Sequence, residues 1–252
     1  MRWLLLTLML LAAPLQAEEV VLGLSQDEVS ISTNFDGSEI IIYGAIKREA
    51  PIQQDAPLQV IVTISGPQEP ITVRRKDRKL GIWVNTDAMS VSAAPSFYAI
   101  ATSAPWEDVL NEADDLRHTV SIPRAIRSVG AWSQVAKPQE FIDALIRIRI
   151  NNGLYVLNEG SVDLRESTLF NTAIQMPANL TEGEYATRIF LTRNGQVVSK
   201  YETSIDVRKV GLERWLFNLS RQQPLVYGLL SLAIAIAAGW SASAAFRLMR
   251  SG

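Results

Sequence analysis

The chain runs to 252 residues, 48% of them hydrophobic, and its 24 basic residues stand against 26 acidic ones for a formal net charge of −2. That balance argues against general nucleic-acid affinity, and the absence of cysteine excludes both a disulfide framework and a thiolate metal site. The two ends inflate the apolar average; setting aside Arg2, Arg247 and Arg250 leaves 21 basic against 26 acidic residues between them.

Residues 1–17, "MRWLLLTLMLLAAPLQA", read as a signal peptide. Arg2 precedes an apolar core from Trp3 to Ala13, Pro14 breaks it, and Ala17 supplies a small residue before Glu18. The core falls short of the roughly 20 apolar residues that a span needs. An uncleaved N-terminal anchor is the alternative, because Leu15 is a less common choice than alanine two residues before Ala17.

Residues 18–102 alternate like strands and are expected to form the first portion of a β-sandwich. "EVSISTNF" sets Val29, Ile31 and Thr33 on one face, and Asp36–Gly37 marks a turn. "SEIIIYGAIKR" reads as a buried strand rich in β-branched residues, and "LQVIVTISGP" as another that stops at Gly66–Pro67. "PITVRRK", "LGIWVN" and "SFYAIATS" follow.

At residue 103 the period changes, and 103–153 is expected to be a helical insertion. "SAPWEDVLNEADDLRH" starts with Pro105, places Glu107 and Asp108 in its first turn, and repeats Trp106, Val109, Leu110 and Ala113 at helical spacing. "KPQEFIDALIRIRINNG" predicts a second helix from Pro138 through about Arg149, with Phe141, Ile142, Leu145 and Ile146 as its stripe and Gly153 near its end. "IRIRI" also alternates as a strand would; the helix is preferred. Residues 154–210 return to strands as the second sandwich portion, with Asn194–Gly195 closing a hairpin. "NLTEGEYATRIFL" reads either as the tyrosine corner of immunoglobulin-like sandwiches, through Tyr185, or as an ordinary turn.

Residues 211–223 place Leu212, Trp215, Leu216 and Leu219 at helical spacing, a juxtamembrane amphipathic helix suited to the headgroup layer or a linker packed on the body. Residues 224–246 are predicted to span a membrane. Leu225 to Phe246 is free of charge for 22 residues, about 33 Å of helix. Arg247 and Arg250 in the 247–252 tail set that tail in the cytoplasm, and a signal peptide demands the same orientation. The missing cysteines suit a bacterial periplasm for the body. Ser231, Ala235, Gly239 and Ser243 recur every fourth residue, a ridge of small side chains that lets a second helix approach, either another copy or another membrane protein.

"FDGSEIIIYGAI", "RRKDRKLGIWVN" followed by "PSFYAIATSAP", and "NGLY" leading to "LFNTAIQMPANLTEGEYATRIFL" and "DVRKVGLERW" before the span resemble, in that order, an uncharacterised alphaproteobacterial transmembrane family. The resemblance covers nearly the whole mature chain. It implies an inner-membrane protein with a periplasmic domain, whose gene often neighbours a sulfite-exporter-like permease. It implies no activity and no cofactor.

The residues themselves carry little chemistry. His118 with Asp114 and Asp115 is a conceivable metal set, but a histidine at a helix C-terminus is favoured by the dipole without any metal. No nucleophile elbow, zinc-protease helix, P-loop or dinucleotide fingerprint occurs. The distinctive charged feature is Arg74, Arg75, Lys76, Arg78 and Lys79 in "RRKDRK". It suits lipid headgroups, an acidic protein surface or an oxyanion, or else an edge strand guarded by charge. Trp83 and Asn85 beside it read as part of a recognition surface or as core and turn. The expected protein is mainly β: an immunoglobulin-like antiparallel sandwich with a helical insertion and one C-terminal transmembrane helix. The expected role is a non-enzymatic accessory or binding module acting on a neighbouring membrane protein such as a transporter. A periplasmic enzyme with an unrecognised site and a structural envelope protein are the alternatives.

Overall fold

The computed structural model describes residues 19–25, 28–31, 37–47, 56–127, 137–209 and 212–250. The expected signal peptide and Asp36 of the expected turn lie outside these residues. The chain divides into a body, residues 1–29 and 35–207, and a second unit, residues 30–34 and 208–252.

Period-two burial builds the body. A four-stranded sheet has the order β1 (Glu19–Leu24), β3 (Ser38–Lys47), β10 (Leu169–Met176), β9 (Asp163–Arg165), antiparallel throughout. On β10 every second residue is buried, Phe170, Thr172, Ile174 and Met176, while Leu169, Asn171, Ala173 and Gln175 face out. β3 behaves likewise, burying Ile40, Ile42 and Ile46. This corrects the expectation that β3 is buried throughout. Ile41 and Tyr43 are exposed, because the described residues cover only one face of this sheet.

The six-stranded sheet runs β2 (Glu28–Ile31), β12 (Gln196–Lys209), β11 (Gly183–Arg193), β4 (Leu58–Ser65), β7 (Tyr98–Thr102), β8 (Tyr155–Asn158). The β7–β8 pair is parallel, a departure from a purely antiparallel sandwich, because a helical crossover connects the two strands. β4 is buried from Val60 to Ile64 on both faces. Ile61 packs with Tyr98, Ile100 and Phe190 against the helical region, in a cluster that includes Val109, Leu110, Val120, Ile122, Phe141, Ile142 and Leu145.

The helices are α1 (Trp106–Val109), α2 (Glu112–His118), α3 (Ile122–Ala125) and α4 (Pro138–Asn151). The single helix predicted from "SAPWEDVLNEADDLRH" is therefore two. Leu110 is extended and buried, and the Asn111 side chain accepts from Asp114 N at 2.8 Å, so Asn111 opens a new helix rather than continuing the old one. Pro105 stands one position before the first helical residue. α4 starts at Pro138 as predicted and runs two residues past Arg149, so "IRIRI" is helical.

Tyr185 is fully buried, and its hydroxyl donates to the Thr181 carbonyl at 2.8 Å, the tie to nearby backbone that the corner reading expects. The second unit holds α5 (Leu212–Gln222) and α6 (Pro224–Arg250). Among the described residues, Pro224–Ser243 of α6 is the one stretch of helix long and apolar enough to cross a membrane.

Candidate functional site

The basic run lies on β5 (Gln68–Lys79), which pairs with β6 (Ile82–Pro95) as a separate two-stranded ribbon. Its base is anchored: Val73 on β5 and Met89 and Val91 on β6 are buried in the cluster with Phe141, Ile142 and Leu145 of α4. Beyond Val73 the character changes. Arg74 to Lys79 are all exposed, and six residues at about 3.4 Å each carry the arm roughly 20 Å past its base.

The register sorts the cations. Alternate residues share a face, and paired residues lie on the same face. Arg74 pairs with Ala88, Lys76 with Asn85, and Arg78 with Trp83, so Arg74, Lys76, Arg78 and Trp83 line one face together. The opposite face continues from buried Val73. There the Arg75 guanidinium lies 4.9 Å from the centre of the Phe141 ring and pairs with Glu140. Glu140 also accepts from Lys137 Nζ at 2.7 Å. The hydrogen bond from Lys137, joined by the one from Arg75, holds the Glu140 carboxyl below its usual range. Lys79 shares this second face and pairs with Ile82. The five basic residues are thus divided: three stand outward in a row, Arg75 is held on α4, and Lys79 flanks the tip.

The tip is apolar. Leu80 and Gly81 form the two-residue turn with φ of 51° and 87°. A turn of that shape ordinarily takes asparagine or glycine, and a leucine at positive φ costs about 1–2 kcal/mol. Leu80 is nonetheless there and fully exposed, with Ile82 64% and Trp83 69% exposed beside it. Trp83 therefore belongs to the surface and not to the core. Leu80 and Ile82 went unnoticed in the sequence; two apolar residues bracketing Gly81 directly after a cationic run were the available signal.

The two carboxylates of the conceivable metal set are already engaged. Asp114 Oδ2 accepts from Val197 N at 2.9 Å and its Oδ1 pairs with Arg117 at 3.0 Å. Asp115 Oδ1 accepts from Ser121 N at 2.7 Å and Val120 N at 3.2 Å. The His118 ring stands edge-on to Phe190 with centroids 5.7 Å apart, and burial draws its pKa below the ordinary value. Among the described residues no group of three or more acidic or histidine side chains is placed to hold a metal.

An open cleft of about 600 Å³ is lined by Tyr98, Thr119, Arg124, Arg127 and Arg188. Arg188 is already occupied there, donating to the His118 carbonyl at 2.9 Å, the Thr119 carbonyl at 3.1 Å and Tyr98 Oη at 3.0 Å. These are the carbonyls at the end of α2, where a cation is favoured by the helix dipole.

On α6, Ser231, Ala235, Gly239 and Ser243 are all exposed at their four-residue spacing. Ser231 Oγ donates to the Tyr227 carbonyl at 2.8 Å, satisfying that hydroxyl within the helix. On α5, Trp215 and Phe217 are exposed, and the Arg221 guanidinium lies 5.4 Å from the Phe217 ring centre.

A family model described as a putative transmembrane protein (Alph_Pro_TM) matches residues 19–248. No curated protein matches the chain.

Proposed function

The chain belongs to that transmembrane family and is a membrane protein, and we propose that it is an accessory or binding module, anchored by α6, that acts on a neighbouring inner-membrane protein such as a transporter. In this reading residues 1–17 are removed as a leader, the body lies in the periplasm, and Arg247 and Arg250 hold the C-terminus in the cytoplasm. The body is immunoglobulin-like in this reading, which the Tyr185 corner bond and the alternating buried rows of the four-stranded sheet support. The observation that carries the reading is α6 itself, the one candidate span among the described residues, with its small-residue ridge exposed. One span cannot by itself enclose a pathway, and α6 is the one candidate span among the described residues, so in this reading it acts in the bilayer through contact. Serine, alanine and glycine at four-residue spacing allow the close approach that such contact needs.

Two measurements test this. A reporter enzyme active only outside the cytoplasm, fused after Gly252, is expected to be silent; an active fusion overturns the orientation. Crosslinking in membranes followed by purification from detergent is expected to capture one reproducible membrane partner, with capture lost on Ala235→Ile or Gly239→Ile. Recovery of monomer alone, or a yield that those substitutions leave unchanged, overturns the accessory role.

A further inference from the structure

We propose that the β5–β6 arm is a membrane-contact device: Arg74, Lys76 and Arg78 engage anionic lipid headgroups while Leu80, Ile82 and Trp83 enter the interface. This rests on the reading of the chain as membrane-anchored and adds to it what the body does beside the bilayer.

The parts divide as an anionic bilayer surface would require. The three outward cations recur at steps of about 7 Å along one strand and face solvent without a described carboxylate across the ribbon; their partners are Ala88, Asn85 and Trp83. Arginine and lysine near such a surface each contribute about a fivefold gain in binding, so three give roughly a hundredfold. Trp83 sits on that same face, and tryptophan favours the headgroup level because its ring is apolar and its N–H polar. Leu80 and Ile82 complete an apolar point directly after a β5 segment, Arg74 to Lys79, in which every residue is charged. A solvated edge strand would carry the charge without the point. A leucine kept at positive φ and fully exposed is a local cost with no return inside the body. An acidic protein partner would account for the cations and leave the apolar point unexplained.

Tethering supplies the concentration. A body held by a span meets the bilayer surface as an intramolecular event, so an arm of modest intrinsic affinity suffices.

The absence of cysteine makes the test direct. The full chain carrying Leu80→Cys, labelled with an environment-sensitive fluorophore, is reconstituted in nanodiscs of phosphatidylglycerol with phosphatidylcholine or of phosphatidylcholine alone. The expected result is a blue-shifted emission in the anionic discs, reversed by high salt and by Arg74→Glu, Lys76→Glu and Arg78→Glu together. The same label at Leu169→Cys, an exposed position on β10, is expected not to respond to lipid charge. Identical emission at position 80 in both lipids, or a blue shift that the charge reversals leave in place, overturns the proposal. A label at Trp240→Cys in α6 separates the two ideas: if it reads apolar while position 80 reads aqueous, the arm proposal fails and the anchor stands. If position 240 reads aqueous, the anchor itself fails.

Discussion

Asp114 is the carboxylate on which the helical region and the last hairpin depend. It is 5% exposed. One oxygen accepts from Val197 N on β12 at 2.9 Å, and the other pairs with Arg117, whose side chain is largely in solvent. Asn111 N donates to the Gly195 carbonyl at 2.8 Å, so the hairpin turn is fastened to the start of α2 at two points. Asp114→Ala removes a charge-assisted hydrogen bond and strands the Val197 amide, a loss of about 1.5–3 kcal/mol. The exposed Arg117 pair adds at most about 1 kcal/mol. The sum is about 2–4 kcal/mol, which for a body of this size lowers the midpoint by roughly 5–12 °C. Asp114→Asn keeps an acceptor oxygen at nearly the same place and is expected to cost less than about half as much. Urea and thermal unfolding of the detergent-solubilised chain measure both, and hydrogen exchange at the Val197 amide reports the local opening. An alanine variant within about 0.5 kcal/mol of the parent, or an asparagine variant as damaging as alanine, would show that this carboxylate does not fasten the hairpin.

Tyr185→Phe deletes the hydroxyl that donates to the Thr181 carbonyl and is expected to cost about 1 kcal/mol in urea unfolding, with the ring packing against Phe97 retained. Gly183 has φ of 149°, and an added Cβ would stand 2.5 Å from Pro67 Cγ, so Gly183→Ala is expected to cost about 1–3 kcal/mol. Gly160→Ala, at φ of 65° in open space, meets the backbone cost alone and should be the milder of the two in the same assay. Burial pushes the Tyr155 hydroxyl up to about 12, and it raises Tyr98 and Tyr185 as well. The folded chain keeps these hydroxyls protonated when the unfolded chain, near 10, has lost its protons. The stability they protect is therefore complete below about pH 10 and falls as the pH rises towards 12, by about 1.4 kcal/mol per unit for Tyr155. Unfolding free energy measured across that range, followed with tyrosinate absorbance, checks the sign; a constant or rising stability would refute it.

Much of the fold was legible because single-strand and single-helix periods are local properties. "LFNTAIQM" reads as a strand and is β10; Phe141, Ile142 and Leu145 recur at helical spacing and face the core. Asn111 was harder, because whether it breaks a helix depends on its side chain finding the Asp114 amide while Leu110 finds the core. The exposure of Ile41 and Tyr43 could not be read at all, since covering a sheet on one face or two is a tertiary matter. The charged run was visible, but its division was not. Which cations stand outward follows from strand parity and from Phe141 and Glu140 lying some 65 residues further along the chain.

The helical region is built into the body rather than hung upon it, and this bears on how the arm is held. β3 lies beside β10 and β4 beside β11, so strands from both sides of the helices interleave. The crossover returns as β8 alongside β7; Tyr155 Oη donates to the Pro95 carbonyl at 2.8 Å, and Arg149 Nη1 donates to the Ser96 carbonyl at 3.3 Å. Those two carbonyls lie at and just past the foot of β6, so the crossover grips the arm where it leaves the sheet. A two-stranded ribbon in water is marginal without a third strand or a helix to cover it. Here α4 covers the proximal half through Phe141 and Leu145 against Val73 and Met89, and Arg75 extends that support by one more pair through Glu140. From Asp87 to the tip the ribbon residues are exposed, with Val84 half-buried. If the proposed lipid contact holds, the bilayer surface covers this distal half, taking its apolar point into the interface and its cationic face onto the headgroups.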